Sequence, residues 1–270
     1  MMQNVAMDDG VEIAVEQSGN PEGPALVLVH ALAVDHTVWD LVAAPMRASR
    51  RIVAIDIAGH GMSGVRVSTT ENPQTLDRLA DDVEQVVAAL GITRADFAGV
   101  SIGGMIGQVL GVRNPAWLRS LTLVCTVSDV PGEAQAMWDA RIAAVRDQGM
   151  DGQVDATLER WFTPAFRDLA PSALDQVAAI IRTTPPEGFI AAAHAIKGLA
   201  MGAKLPAVKV PTLVASGAQD VGSPPEAGRA IAAAIPGARF ELLDPCGHMG
   251  PIEAADPLWK LMDAHLTGLA

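Results

Sequence analysis

A serine between glycines stands in the segment "DFAGVSIGGMIG", residues 96–107. Ser101 lies between Gly99 and Gly103, which matches the pattern Gly-x-Ser-x-Gly. On a sharp turn from a strand into a helix, this pattern exposes the serine hydroxyl as a nucleophile, and small neighbours avoid steric clashes. The same glycines could instead serve only to let a helix pack closely on a sheet. The two interpretations differ in what they require elsewhere in the chain.

A serine nucleophile needs a base that takes its proton. The histidines of the chain are His30, His36, His60, His194, His248 and His265. His248 is the preferred base, because its Gly- and Pro-rich loop, "LLDPCGHMGPIE", follows the last predicted strand at the sheet edge where Ser101 lies. Its alternative role is that of a solvated loop residue. We expect His265 on the surface of the terminal helix, His60 in a turn, and His194 either lining a pocket or packing.

The base needs an acid that holds its tautomer and stabilises the imidazolium. Asp220, in "VASGAQDVGSPP", follows a buried strand. The chain order Ser101, Asp220, His248 is the serine–acid–histidine order expected when the nucleophile lies on a strand-to-helix turn. Asp129, after the preceding core strand, is the main rival, and Asp244 lies too near His248 along the chain to be preferred. The alternative role of Asp220 is to cap a turn.

A serine reaction also needs N–H groups aimed at the developing oxyanion. The Ile102 amide is one candidate, because it starts the helix after the serine, where the helix dipole favours negative charge. The second should come from "HALAVDHTVW", the loop after an early strand. We predict the Leu32 amide for this role, with Ala31 as the alternative.

Strands and helices alternate around these residues. Continuous apolar runs such as "PALVLVH" and "LRSLTLVC" are typical of strands buried on both faces of a parallel sheet. Strands are predicted over 11–19, 24–30, 51–61, 95–100, 118–125, 211–217 and 238–243, and helices over 76–91, 102–114, 224–235 and 256–268. Ser101 therefore falls between a predicted strand and a predicted helix, which favours the nucleophile over mere packing.

The alternation stops after residue 127 and returns at residue 209. In between, the patterns are helical and no strand is convincing, with helices predicted over 133–149, 155–162, 173–185 and 187–201. The sequence thus predicts an α/β fold, a mostly parallel doubly wound sheet, whose core is built from residues 1–127 and 209–270. Residues 128–208 would form a helical cap over the C-terminal edge of the strands, where open α/β sheets bind ligands.

Composition excludes several classes of protein. The net charge of −12, from 31 acidic and 19 basic residues, disfavours nucleic acid and anionic membrane surfaces as partners. Two cysteines, Cys125 and Cys246, make no disulfide framework, and no metal-binding pattern is present. No export signal and no apolar run long enough to span a bilayer are visible. We therefore expect a cytoplasmic protein whose partner is a small molecule, with no metal site.

Five motifs occur in the order known from one superfamily. They are "LVLVHALAVDHTVWD", "DIAGHGMSG", "GVSIGG", "SGAQDVGSPPEAGRAIAAAIPGA" and "CGHMGPIEAADP". Together they resemble the α/β-hydrolase superfamily over nearly the whole chain. Within it, the chain is most similar to 3-oxoadipate enol-lactonases, through "RWFTPAFRD" and "TTPPEGFIAAAHAI" in the cap.

The resemblance implies hydrolysis of a small carboxylic ester or lactone. Ser101 would attack the carbonyl, His248 would move the proton, and water would release an acyl-enzyme, with no metal or organic cofactor. Arylesterase, cofactor-free haloperoxidase-type and C–C bond hydrolase reactions on the same residues are alternatives, since fold does not determine chemistry. A receptor that keeps a hydrolase pocket without turnover is a further alternative.

An enol-lactone of this kind carries a carboxylate, which would need a cationic anchor. Trp138 and Arg141 are three residues apart on a predicted cap helix and so share a face. Arg141 could anchor the carboxylate beside the indole, or it could be a solvated helix charge. Trp161 and Phe162 are expected either in the pocket or in the core of the cap.

The sequence departs from the lactonase pattern at one loop. Those enzymes commonly carry a polar Ser-Asn-Ser-type segment there, and many other hydrolases carry His-Gly. This chain has His30-Ala31-Leu32, in which a methyl group replaces the hydrogen of the glycine. The methyl group of Ala31 and the apolar Leu32 lie next to the expected oxyanion donor, so this loop bears on which substrate fits.

Overall fold

The computed structural model describes residues 1–69 and 73–269. Its strands are β1 (Met2–Ala6), β2 (Glu12–Gly19), β3 (Ala25–Val29), β4 (Arg51–Ile55), β5 (Ala95–Val100), β6 (Leu118–Val124), β7 (Thr212–Gly217) and β8 (Arg239–Leu243). They form an eight-stranded sheet in the order β1-β2-β4-β3-β5-β6-β7-β8. β2 pairs antiparallel with β1 and β4, and the remaining neighbours pair parallel. The predicted mostly parallel sheet is confirmed.

Helices cover both faces of the sheet and one edge. They are α1 (Asp40–Ala43), α2 (Leu76–Ala89), α3 (Ile102–Arg113), α4 (Gln135–Gln148), α5 (Val154–Trp161), α6 (Pro164–Leu169), α7 (Pro171–Thr183), α8 (Pro186–Lys197), α9 (Pro225–Ala234), α10 (Gly250–Glu253) and α11 (Ala255–Thr267). Every residue of β3, β5 and β7 is buried. Strands covered on both faces are mostly apolar, which explains why their sequences lack alternation. The buried Asp96 of β5 is hydrogen bonded to Arg50 and Ser120.

The first strand was not predicted from the sequence. In β1 the residues alternate between exposed and half-buried, because this strand lies at the edge of the sheet beside β2. An edge strand buries little apolar surface, so its segment "MQNVA" carries no strong apolar pattern.

Helices α4–α8 lie between β6 and β7, in the segment predicted to be a helical cap. Among the described residues of this segment, the one β pairing is an isolated bridge between Asp129 and Ala200. The N-terminal part of α8 touches the core directly: a Cβ on Gly188 would lie 2.0 Å from the Gly59 carbonyl oxygen. The division into core residues 1–127 and 209–270 and cap residues 128–208 stays a prediction.

Candidate active site

Ser101 stands on a sharp turn between β5 and α3. Its backbone has φ 56° and ψ −116°, outside the regions that a serine ordinarily adopts. Close packing of glycine backbones allows this turn: a Cβ on Gly99 would lie 2.2 Å from the Gly103 carbonyl, and a Cβ on Gly103 2.3 Å from the Val29 carbonyl oxygen. Such strain persists only when the surroundings impose it, and it concentrates at functional sites.

Two further glycines of the same segment have a different role. A Cβ on Gly104 would lie 2.8 Å from the side chain of Thr126, and one on Gly107 would lie 2.8 Å from the ring of Phe97. The absence of a side chain at these two positions lets α3 lie close to Thr126 and Phe97. The segment therefore combines glycines that form the turn with glycines that let the helix pack.

His248 and Asp220 are paired and buried. The Nδ1 atom of His248 lies 2.8 Å from Oδ2 of Asp220. The other carboxylate oxygen, Oδ1, accepts the backbone N–H groups of Gly222 and Ser223, each at 2.8 Å. Because a carboxylate only accepts, Nδ1 of His248 carries a hydrogen, and in the neutral ring Nε2 then keeps a free lone pair. This is the tautomer that a general base for a serine needs.

The two rival acids have other surroundings. Asp129 lines the same cavity as His248, but its carboxylate accepts from the hydroxyl of Ser128 at 2.7 Å and the N–H of Gly202 at 3.3 Å. Asp244 is exposed. Of the three candidates, Asp220 is the one that the structure places in hydrogen-bond contact with His248.

The prediction that His265 lies on the surface is wrong. Its exposed fraction is 6%, because the inward face of α11 carries it against the core, where burial lowers the pKa of its ring. His60 lies in a turn, as expected, and is fully buried. His194 is exposed on α8. Among the described residues, His248 is the histidine that lines a cavity together with Ser101.

This cavity has a volume of about 250 Å³ and lies between the sheet edge and the segment of helices α4–α8. Its walls include Leu32, Ser101, Trp138, Arg141, Trp161 and His248. The structure thus brings together the predicted nucleophile, the predicted base, one predicted oxyanion loop and the predicted substrate contacts. Phe162 lies outside this wall and stacks on Phe166 instead, with ring centroids 5.2 Å apart.

Two guanidinium groups reach the cavity. Arg141 lies over the Trp138 ring, 4.6 Å from its centroid, and its Nε has no hydrogen-bond partner among the described residues. Within the described part of the chain, neither Arg141 nor Arg160 has a carboxylate oxygen within ion-pair distance. Burial and the neighbouring Arg160 lower the pKa of Arg141 to about 9. Burial also lowers the pKa of Arg160, against the opposing effect of Asp220.

Sequence reasoning missed Arg160. Its signal was present, since it begins the cap stretch "RWFTPAFRD" and directly precedes Trp161. A charge at the end of a helix is usually solvated, however, and only the tertiary structure shows that this one is half-buried.

Trp161 belongs both to the pocket and to the packing around the base. Its carbonyl oxygen accepts the backbone N–H of His248 at 2.7 Å, and its ring stacks on the imidazole with centroids 6.0 Å apart. A Cβ on Gly247 would lie 2.4 Å from the same carbonyl oxygen. The end of α5 therefore holds the loop that carries His248.

Comparison with known proteins agrees with this architecture. A family model described as the alpha/beta hydrolase fold matches residues 24–255. The chain belongs to the α/β-hydrolase family. It is 30% identical to 3-oxoadipate enol-lactonase 1 of Acinetobacter baylyi over 260 residues, which are 96% of this chain and 95% of that relative.

Solved α/β-hydrolase structures superpose closely on the chain. The crystal structure of the enol-lactonase from Burkholderia xenovorans has a TM-score of 0.93 and 31% identity, covering 98% of this chain and 100% of that one. A thermophilic esterase from Thermogutta terrifontis, solved with malate bound, has a TM-score of 0.92 and 25% identity, covering 100% of this chain and 99% of the esterase. The expected resemblance to enol-lactonase-type α/β-hydrolases is confirmed.

Residues 1–69 and 73–269 contain neither a candidate metal cluster nor a candidate membrane-spanning helix. No group of three or more metal-binding side chains comes together there. None of the helices in these ranges combines the length and the apolar character needed to cross a membrane.

Proposed function

We propose that the protein is a serine hydrolase that cleaves a small carboxylic ester or lactone. The observation that carries the proposal is the buried His248–Asp220 pair, 2.8 Å apart, whose His248 lines the same cavity as the strained Ser101. The relatives named enol-lactonase and esterase support it.

Each step has a residue that can carry it. The Nε2 atom of His248 takes the proton of Ser101 while Oγ attacks the carbonyl carbon. The carbonyl oxygen becomes an oxyanion, which the N–H groups of Leu32 and Ile102 would bind. The imidazolium, stabilised by Asp220, returns the proton to the leaving oxygen.

The resulting acyl-enzyme is released by water. His248 takes a proton from the water as its oxygen attacks the acyl carbon, and the oxyanion again needs the same two N–H donors. Collapse expels Ser101 Oγ, which recovers its proton from His248. An ester gives an acid and an alcohol. A lactone gives a single ring-opened acid. Its ring oxygen is the leaving oxygen of the first step, and it stays attached to the acyl part through the carbon chain.

The charges in the cavity favour a substrate that carries a carboxylate. Arg141 and Arg160 lose hydration on burial and have no carboxylate oxygen within ion-pair distance among the described residues, although the charge of Asp220 acts on Arg160 from farther away. A ligand carboxylate would supply the hydrogen bonds that these guanidinium groups lost with their water. The indole of Trp138 beneath the Arg141 guanidinium would contact a flat ring. A carboxylated lactone similar to a 3-oxoadipate enol-lactone meets both conditions.

The first experiment tests the reaction. Purified protein should release p-nitrophenol from p-nitrophenyl acetate over many turnovers, and Ser101→Ala should abolish the release while the protein stays folded by circular dichroism. If Ser101→Ala turned over substrate at the wild-type rate, the assignment of Ser101 as the nucleophile would be wrong. A single turnover by the wild-type protein would favour the receptor alternative.

The second experiment tests the substrate class. We expect carboxylated enol-lactones to have a kcat/KM well above that of their neutral methyl esters and of aryl esters. Arg141→Gln should remove this preference, about tenfold to a hundredfold, because a charge-assisted hydrogen bond is lost. Arg146→Gln is the matched control, since Arg146 is exposed on the same helix and outside the cavity wall. Preference for neutral aryl esters would instead support the arylesterase alternative.

A further inference from the structure

His30 is fully buried at the end of β3, and both of its ring nitrogens are hydrogen bonded. The backbone N–H of Ile57 lies 3.0 Å from Nε2. A backbone N–H can only donate, so Nε2 is the acceptor and the hydrogen of the neutral ring sits on Nδ1. Nδ1 in turn donates to the carbonyl oxygen of Ala31 at 2.6 Å. One tautomer therefore satisfies both contacts.

The charge state of the ring agrees with this assignment. Burial lowers the pKa of His30 below its usual range, although Asp56 acts in the opposite direction. The ring is therefore neutral at pH 7 and keeps an acceptor at Nε2. The Ile57 N–H, at the start of the loop after β4, is what selects the hydrogen on the Ala31 side.

The hydrogen bond from His30 to the Ala31 carbonyl also determines where the Leu32 N–H points. The Ala31 carbonyl and the Leu32 N–H belong to the same peptide unit, which is planar and trans. In a trans unit the C=O and N–H bonds point in opposite directions. When His30 holds the carbonyl on the core side, the Leu32 N–H points to the other side, and Leu32 lines the cavity with Ser101.

Other contacts hold the backbone of this loop next to Leu32. Ala33 has φ 63°, a left-handed conformation that alanine disfavours. Thr184, which follows α7, donates from Oγ1 to the Ala33 carbonyl at 3.2 Å. The close approach of Gly103 to the Val29 carbonyl holds the first turn of α3, and with it the Ile102 amide, against the same strand end.

We propose that His30 is a positioning residue that aims the Leu32 N–H at the oxyanion formed on the substrate carbonyl. The proposal rests on the proposed serine hydrolase function. It also assigns a role to the His30-Ala31-Leu32 loop, where the chain departs from the Ser-Asn-Ser-type segment of the lactonases it resembles. In this chain an imidazole buried beneath the loop orients the donor.

Two substitutions separate the bond to Ala31 from the bond to Ile57. The side-chain amide of asparagine can place an N–H near the position of Nδ1, so His30→Asn keeps a donor for the Ala31 carbonyl and loses the acceptor for Ile57. The longer amide of glutamine reaches the position of Nε2, so His30→Gln keeps the acceptor for Ile57 and loses the donor for Ala31. Each variant therefore loses one of the two buried hydrogen bonds that the His30 ring makes.

We expect His30→Gln to lower kcat about tenfold to a hundredfold with KM nearly unchanged, because the misdirected N–H matters only when the oxyanion forms. His30→Asn should keep kcat within about threefold of wild type. The Tm of both variants should fall by similar amounts. A trifluoromethyl ketone, which forms an oxyanion adduct with serine, should bind His30→Gln more weakly by the same factor as the loss in kcat.

Equal losses of kcat in the two variants, following their Tm, would show that His30 only supports the fold and would overturn the proposal. Unchanged kcat and inhibitor affinity in His30→Gln would do the same. If the variants do not fold, the wild-type protein can be measured instead. A ¹⁵N NMR spectrum of its ring nitrogens should show the hydrogen of His30 on Nδ1. A hydrogen on Nε2 would contradict the proposal. Full turnover by Ser101→Ala, in contrast, would refute the proposed function itself.

Discussion

Two histidine–aspartate pairs in this protein have the same contact distance but different surroundings. His248 and Asp220 join Nδ1 to a carboxylate oxygen at 2.8 Å, and His36 and Asp56 join the same atoms at 2.8 Å. Both carboxylates are buried and accept backbone N–H groups. Residue type and distance therefore do not distinguish the pair proposed to support catalysis from a pair that joins two loops of the fold.

What differs is the position of each pair relative to the cavity. His248 lines the cavity with Ser101, whereas His36 starts a short 3₁₀ turn, His36–Trp39, away from it. Asp56 also accepts the backbone N–H groups of His36 and Met62, at 2.8 and 3.0 Å. The second pair thus joins the loop after β3 to the loop after β4. It supports the region in which His30 holds Ala31, without contact to a reacting atom.

The largest expected difference between the pairs is in activity. Asp220→Asn should lower kcat/KM for p-nitrophenyl acetate about ten-thousandfold. The amide oxygen will stay with the N–H groups of Gly222 and Ser223, so its NH₂ faces Nδ1 of His248 and forces the hydrogen onto Nε2. Asp56→Asn is the matched control and should keep kcat/KM within about tenfold.

Both variants should be checked for folding by circular dichroism before the rates are compared. An equal loss of kcat/KM in a folded Asp56→Asn variant would remove the functional distinction between the two pairs. Retained activity in Asp220→Asn, with loss in Asp129→Asn, would transfer the role of the acid to Asp129.

A smaller effect concerns the stability around the second pair. Burial, together with neighbouring His30, lowers the pKa of His60 to about 3, and the His60 and His30 rings lie 5.5 Å apart. An unfolded histidine binds a proton below about pH 6.5 and the native one does not, so the free energy of unfolding falls as the pH drops. By pH 5.5 this loss should reach about 1 kcal/mol, and His60→Gln should remove it.

Urea unfolding of wild type and His60→Gln at pH 8.0 and pH 5.5 measures this effect above the isoelectric point of about 4.8. The wild-type protein should lose more stability between these two pH values than the variant. Equal losses of stability in the two proteins would show that His60 takes up a proton in the native state. That result would contradict the lowered pKa of its buried ring.

The smallest expected effect comes from His36 and has the opposite sign. Burial opposes the charged ring, but the hydrogen bond and charge of Asp56 prevail and raise the pKa of His36. Its contribution to stability is therefore present below the unfolded pKa of about 6.5 and is lost as the pH rises through the folded pKa. His36→Gln should destabilise the protein more at pH 5.5 than at pH 8.5, by up to about 1 kcal/mol. A difference that does not depend on pH would contradict an ion pair.

Much of the fold could be predicted because its elements have strong local patterns. The apolar runs of β3, β5 and β7 and the amphipathic pattern of α2 identify a parallel sheet with helices. β1 was missed because an edge strand needs few apolar residues. The surface position expected for His265 was wrong because the direction in which α11 packs is decided by contacts with strands far away in the sequence.

The candidate site divides in the same way. The serine turn could be predicted from the spacing of Gly99 and Gly103 together with the strand before it and the helix after it. Only glycine fits where these two residues touch other backbone atoms. The place of Arg160 in the cavity wall could not be predicted from the sequence. Its side chain loses hydration and has no carboxylate oxygen within ion-pair distance among the described residues, and both facts depend on how α5 packs.

The sequence by itself determined the alternation of strands β2–β8 with the longer helices, the glycine turn that carries Ser101, and the order Ser101, Asp220, His248 along the chain. These features depend on local backbone sterics and on the periodicity of apolar residues. Only the tertiary structure decided that His248 pairs with Asp220 while His36 pairs with Asp56, and that His30 holds the Ala31 carbonyl. Such choices depend on which loops meet at the sheet edge and on which polar groups lose water there.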